Sequence, residues 1–226
     1  MIKLLRTTLV ALFMSIATTP LMAGSGDFSG PYVSIQAAVV GGALDGEYTD
    51  QDGAVTKGTG GATFPIGGIE AGWNIGLGDT FLIGIGGTYN AGSATISNAD
   101  DAANVADVRI KLSDQFTMFI QPQISFAENS EVYAKFGYTQ VLLNCAGTGI
   151  ADTGGCSNIE GKTIALGTKT KFGSGIFFQT EAGATGYQGI TINKIGGTDS
   201  TKGTTTGILS ARPTVAYGSV AIGFQF

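Results

Sequence analysis

The stretch Val108-Arg-Ile-Lys-Leu-Ser-Asp-Gln-Phe-Thr-Met-Phe-Ile-Gln-Pro-Gln-Ile-Ser-Phe126 decides the fold. Its even positions are apolar except Asp114, and its odd positions are polar except Phe119. Alternation sustained over nineteen residues goes well beyond the roughly four to eight of a half-buried strand in a soluble sheet. At about 3.3 Å per residue the run reaches some 60 Å, so part of it must stand clear of any bilayer.

Seven further runs with the same period of two lie at Tyr32–Val39, Gly68–Asn74, Phe81–Asn90, Val132–Thr139, Thr163–Lys171, Ile176–Tyr187 and Ser219–Phe226. Short turns at 76–80, 127–130 and 172–174 alternate with long connections at about 42–61, 91–106, 142–158 and 191–207. No segment after residue 24 has helical periodicity. The pattern predicts an all-β fold, an eight-stranded antiparallel up-and-down transmembrane β-barrel. Closure is required because lipid offers no partner to an unpaired backbone N–H or C=O. A ten-stranded barrel stays open, with an extra hairpin in the first long connection.

Composition agrees with closure. The mean hydropathy is +0.24 and only 13% of residues are charged, yet alternation leaves no continuous apolar run. Of the 37 glycines, eight strand glycines, Gly68, Gly72, Gly84, Gly86, Gly137, Gly167, Gly183 and Gly223, fall on the face opposite the apolar one, where they make room in a narrow bore. A soluble barrel of lipocalin type would turn the same faces inside out. Trp73, Tyr89 and Tyr138 fall near strand ends, as in an aromatic girdle, and favour the membrane.

Residues 1–23 have the parts of a cleaved signal peptide: Lys3 and Arg6, an apolar Leu9–Ile16, then a Pro20-containing stretch that ends at the small residue Ala23. Cleavage after Ser25 is the alternative. The barrel domain is then 24–226, with 10 basic against 17 acidic residues and a net charge of −7. That balance argues against nucleic-acid binding. Cys145 and Cys156, eleven apart in a Gly/Thr/Asp-rich segment, read as one disulfide of an exported protein.

The C-terminal Tyr217-Gly-Ser-Val-Ala-Ile-Gly-Phe-Gln-Phe226 resembles the assembly signal of bacterial outer-membrane barrels, with Ser219, Phe224 and Phe226 on the pattern and Ala221 where a glycine is usual. Gln121–Tyr138 is similar to the proline, turn, Tyr-x-Lys-x-Gly-Tyr stretch of porin-like surface barrels, among them the transmembrane domain of outer-membrane protein A and the opacity-type proteins. Ser29-Gly-Pro-Tyr-Val-Ser34 resembles their opening strand. The resemblance implies a bacterial outer-membrane location and a monomer among lipid and lipopolysaccharide. It also implies insertion by the barrel-assembly machinery, and a structural or loop-mediated role toward an extracellular ligand it does not name.

Glu70, Arg109, Lys111, Lys135, Lys169, Lys171 and Glu181 fall on the presumed lumen face. They read as an ion-pair network filling the bore; five cations against two anions would alternatively suit a narrow, anion-favouring channel for small solutes. Asp45, Glu47, Asp50 and Asp52, with Asp100, Asp101 and Asp107, lack calcium-loop spacing and read as solvated loop charge. Histidine is absent, so imidazole-based catalysis is excluded, and no nucleophile elbow replaces it. The sequence predicts neither an enzyme nor a bound cofactor or metal. A secreted ligand-binding barrel is the remaining alternative.

Overall fold

The computed structural model describes residues 28–49, 52–97, 109–146, 158–173, 175–199 and 203–226. The expected signal peptide, Cys156, Asp50, Asp100, Asp101 and Asp107 lie outside them, as does the Cys145 side chain. The elements are β1 (Gly30–Thr49), β2 (Val55–Gly76), β3 (Phe81–Ser97), β4 (Arg109–Ala127), β5 (Ser130–Ala146), β6 (Ile159–Phe172), β7 (Ile176–Tyr187), β8 (Ile190–Asp199) and β9 (Gly203–Gln225). Each pairs antiparallel with its neighbour, and β1 closes the ring against β9 from Tyr32↔Gln225 to Thr49↔Ile208. β7 and β8 follow one another along the same edge of β9, from Ile176↔Phe224 to Gly186↔Thr214 and then from Ile190↔Ala211. Together they fill one position, so eight strands surround the bore, as the alternation predicted.

The long connections differ from expectation. Residues 42–49 and 55–61 continue β1 and β2 as a paired ribbon, and 191–199 and 203–207 are strand as well. The first connection adds length to the wall rather than an extra hairpin. Alternation persists there, but with its polarity reversed. On β9 the outward residues Val220, Ile222 and Phe224 give way to Ser210, Arg212 and Thr214, while inward Ser219, Gly223 and Gln225 give way to Ala211, Val215 and Tyr217. Below the reversal the wall meets lipid; above it the outer face meets water and the inner face becomes an apolar core.

On β4 the reversal is made by a β-bulge. Asp114 has a left-handed backbone, φ 52°, which Asp tolerates better than most residues. The register slips between Ser113 and Gln115 against β5. Leu112 therefore points inward and Lys111 outward, although Phe116, Met118 and Ile120 below them face out.

Six inward aromatics each stand directly opposite a glycine on the next strand: Tyr32↔Gly72, Phe119↔Gly86, Tyr133↔Gly167, Tyr187↔Gly161, Phe177↔Gly223 and Tyr217↔Gly183. A Cβ at Gly72 would lie 2.8 Å from the Tyr32 ring and 2.7 Å from the Ile85 carbonyl oxygen. Glycine here is the floor under an aromatic ring. Gly72→Ala should lower the urea stability of the refolded barrel by about 1–3 kcal/mol. Tyr32→Leu in the same chain should reduce that loss, and an additive double-mutant cycle would contradict the pairing.

Candidate functional site: the interior of the barrel

The inward file of β5 samples the bore from turns to loops: Glu131, Tyr133, Lys135, Gly137, Thr139, Val141 and Leu143. It is charged, then polar, then apolar, and the neighbouring strands match it tier by tier.

At the turn end Lys169 Nζ lies 3.0 Å from Glu131 Oε1, both side chains fully buried. The ammonium also sits 4.4 Å from the Tyr32 ring centre and 5.0 Å from that of Phe177. The Gln123 amide nitrogen, turned toward Glu131, reaches its oxygens at 2.6 and 2.8 Å. Phe28 is buried at this end, its carbonyl accepting from Asn74 Nδ2 at 3.0 Å.

One tier up, Lys135 Nζ bridges Glu70 Oε2 at 2.8 Å and Glu181 Oε2 at 2.5 Å. Glu70 also accepts from Tyr32 (3.1 Å) and Thr88 (2.9 Å), and Glu181 from Tyr133 (2.9 Å) and Tyr217 (2.7 Å). The ammonium lies 4.5 Å from the Phe119 ring centre. One cation thus holds two carboxylates from different parts of the wall, β2 and β7, and every carboxylate oxygen has a donor.

Above this, the hydroxyls of Thr117, Thr139, Thr163 and Thr185 form a ladder across β4 to β7 with spacings of 2.9, 2.6 and 2.7 Å. A second belt crosses the bore: Gln36 donates to Asn90 (2.7 Å), Asn90 to Gln115 (3.2 Å) and Gln115 to the Tyr187 hydroxyl (3.1 Å). Above that belt lies the apolar core of Ala38, Val40, Leu112, Val141, Leu143 and Val215 with their neighbours.

The expected network is only partly assembled. Glu70, Lys135, Lys169 and Glu181 lie in the bore, and Glu131, which the sequence reading missed, joins them. Glu131 shares the parity of Tyr133 and Lys135, so extending that run back by one residue would have reached it. Lys111 does not belong: the Asp114 bulge turns it outward. Lys171 stands half-buried at the turn end, its amide donating to the Asn129 carbonyl at 2.7 Å. The Arg109 side chain is outside the described residues. Among the described residues two buried cations stand against three anions in place of the expected five against two, so the described bore holds no excess of cations to favour anions.

Of the C-terminal residues, Ser219 faces inward, while Phe224 and Phe226 lie outside with their rings in edge contact at 5.0 Å. Outside, the apolar residues form a belt: Trp73, Ile85, Ile120, Phe136 and Ile164 are successive cross-strand partners and all exposed. At its loop-side rim Tyr89 donates to Asp114 at 2.9 Å. Among the described residues no group of His, Cys, Asp and Glu is arranged to hold a metal.

Removing the central charge tests the network. Lys135→Met leaves two buried carboxylates unpaired and should cost about 3–5 kcal/mol in urea unfolding. Adding Glu70→Gln and Glu181→Gln should restore most of it, since the hydroxyl donors keep partners.

No protein-family model matches this sequence, and neither does any curated protein. Among solved structures the chain is similar to outer membrane protein OprG of Pseudomonas aeruginosa, with 12% identity, TM-score 0.53, and 92% of this chain and 100% of that one covered. It is also similar to Neisserial surface protein A (12%, TM-score 0.41, 88% and 98%) and to outer membrane protease OmpT of Escherichia coli (10%, TM-score 0.45, 87% and 97%). At 12% identity the likeness to OprG shows the fold alone: this chain has the architecture of the bacterial outer-membrane β-barrels, with the apolar outer belt such a barrel turns to lipid.

Proposed function

We propose that this protein is a non-enzymatic outer-membrane surface barrel, closed to solutes across the membrane, that works through its walls above the rim. The observation that carries this reading is the Lys135 bridge. It joins Glu70 and Glu181 across the bore, with Tyr32, Tyr133 and Tyr217 filling the space around it. A water-filled channel needs a bore that side chains do not fill, and here they leave beside Lys135 and the threonine ladder a cavity of about 30 Å³. The walls above the rim carry polar outer faces, such as Thr59, Thr63, Asp45 and the exposed Lys57–Glu47 pair at 2.7 Å. They suit contact with lipopolysaccharide and with an extracellular ligand.

Insertion would depend on the barrel-assembly machinery reading the C-terminal strand, and Cys145 and Cys156 would join in a disulfide above the rim. The chain would act as a monomer, since its ring closes on itself.

In planar bilayers the purified barrel should give no sustained conductance. Steady openings would overturn the closed-bore reading and favour a narrow channel. After membrane fractionation it should sediment with outer membrane and shift in gel mobility on heating; a soluble, heat-insensitive protein would mean a secreted ligand-binding barrel. Phe226→Ala should cut the amount of inserted, heat-modifiable protein several-fold in cells while leaving refolding in detergent intact.

A further inference from the structure

Among the described residues the wall is not continuous above the rim. β2 and β3 pair from Gly76↔Leu82 to Gly67↔Ala91 and no further. Beyond that point β2 runs on from Ile66 to Val55 against β1 alone, while β3 from Ser93 to Ser97 pairs with β4 alone. A seam therefore opens two residues above Tyr89, at the edge of the apolar belt. Two features mark the spot. β3 carries a bulge there, with Gly92 at φ 144° and the register shifted between Asn90 and Ser93. Ile66 fills the gap: a Cβ at Gly92 would stand 3.1 Å from its Cγ2 and 3.5 Å from its Cβ.

Behind Ile66 is a cleft of about 40 Å³, roughly three times what a single water needs. Val40, Phe64, Leu112, Val141 and Val215 line it, and the Asn90–Gln115–Tyr187 belt closes it below. Gly92 and Asp114, both exposed on the outer wall, also border it. The cleft thus joins the apolar interior to the outside of the barrel at the height where the lipid-facing belt ends.

We infer that this seam is a docking site for the end of one acyl chain of an outer-leaflet lipid, which enters past Ile66 and rests against Phe64 and Leu112. The occupant follows from continuity. The seam adjoins the belt at Tyr89, where lipid is the solvent, and above the amide belt the cleft walls are mainly aliphatic or aromatic, with Ser113 and Asp114 as the polar exceptions. The amide belt below stops an apolar chain from going deeper, because passing it would strip hydrogen bonds from half-buried Asn90 and Gln115. The volume suits a chain end rather than a whole chain. This inference rests on the membrane placement proposed above.

The single tryptophan, Trp73, is exposed on the belt and makes the test direct. The barrel is reconstituted in phosphatidylcholine vesicles brominated on the lower half of one acyl chain, and fluorescence is compared with non-brominated vesicles. Native Trp73 reports contact with the membrane. In a Trp73→Phe background, Phe64→Trp reports on the cleft, and Phe119→Trp reports on the interior behind a fully paired wall. Phe64→Trp should be quenched to within about twofold of Trp73 and clearly more than Phe119→Trp, with Ile66→Ala increasing the quenching further. Leu112→Trp is the second reporter if Phe64→Trp does not refold. Quenching at the cleft no greater than at Phe119→Trp, with Trp73 quenched, overturns the docking site alone. Unquenched Trp73 overturns the membrane placement and the docking site with it.

Discussion

Every other feature of this structure depends on one constraint: within lipid, a backbone N–H or C=O that leaves the ladder finds no other partner. Each strand segment in the belt is paired on both edges, and the β1–β9 ladder removes the last free pair. An unsatisfied amide there costs several kcal/mol, so the wall cannot open at that depth. Above the rim water can take the amide's hydrogen bond, and there β2 parts from β3. The position of the seam is thus set by solvent, and Gly92 and Ile66 only shape its entrance.

The same boundary reverses the side-chain pattern. In the belt the outer face is apolar because it meets lipid, and the inner face is polar or glycine because the bore is narrow. Above it, water outside requires Arg212, Thr214 and Asp45 on the outer face, and two facing walls then need Val215, Leu112 and Phe64 between them. Most strands cross by changing composition along one parity. β4 keeps its other even positions apolar and instead rotates the chain half a turn at Asp114. One residue of bulge thus does on β4 what a change of composition does on β9.

These two devices decide what could be read from the sequence. Strand count, turn positions, closure and the outward belt were legible because a period of two survives any environment. The identity of the inner face was legible only where lipid lies outside. Alternation alone puts Lys111 in the bore, because a bulge leaves the apolar file of Val108–Phe126 in step on either side of Asp114. Its one trace is Asp114 standing among apolar neighbours, a slip that marks the bulge. The connections at 42–61 and 191–207 resemble loops because Gly and Thr fill them, yet in the first of them Leu44 and Tyr48 keep the parity of Ala38 and Val40. Their partners lie on strands far away in sequence, so nothing local announced a core. The aromatic-over-glycine pairs were invisible for a similar reason: each residue was placed on its face, but register across strands was not.

The charged tier is best understood through register. An apolar filling of equal volume would often be as stable or more so, because burying charge costs about as much as pairing returns. What apolar side chains do not supply is intolerance of error. Lys135 on β5 meets Glu70 on β2 and Glu181 on β7, strands that are not its neighbours, and Lys169 on β6 meets Glu131 on β5. A slip of one residue on any of these strands exchanges its inner and outer faces and sends a charge into lipid, at about 2–4 kcal/mol near the midplane. A slip of two keeps the faces but parts the ions, leaving a buried charge uncompensated at about 3–5 kcal/mol. The aromatic-over-glycine pairs penalise the same slip sterically, since a two-residue shift sets Tyr32 against Glu70 or Asn74 instead of Gly72. Charge and shape therefore select a single stagger among eight strands whose backbone ladders would accept several.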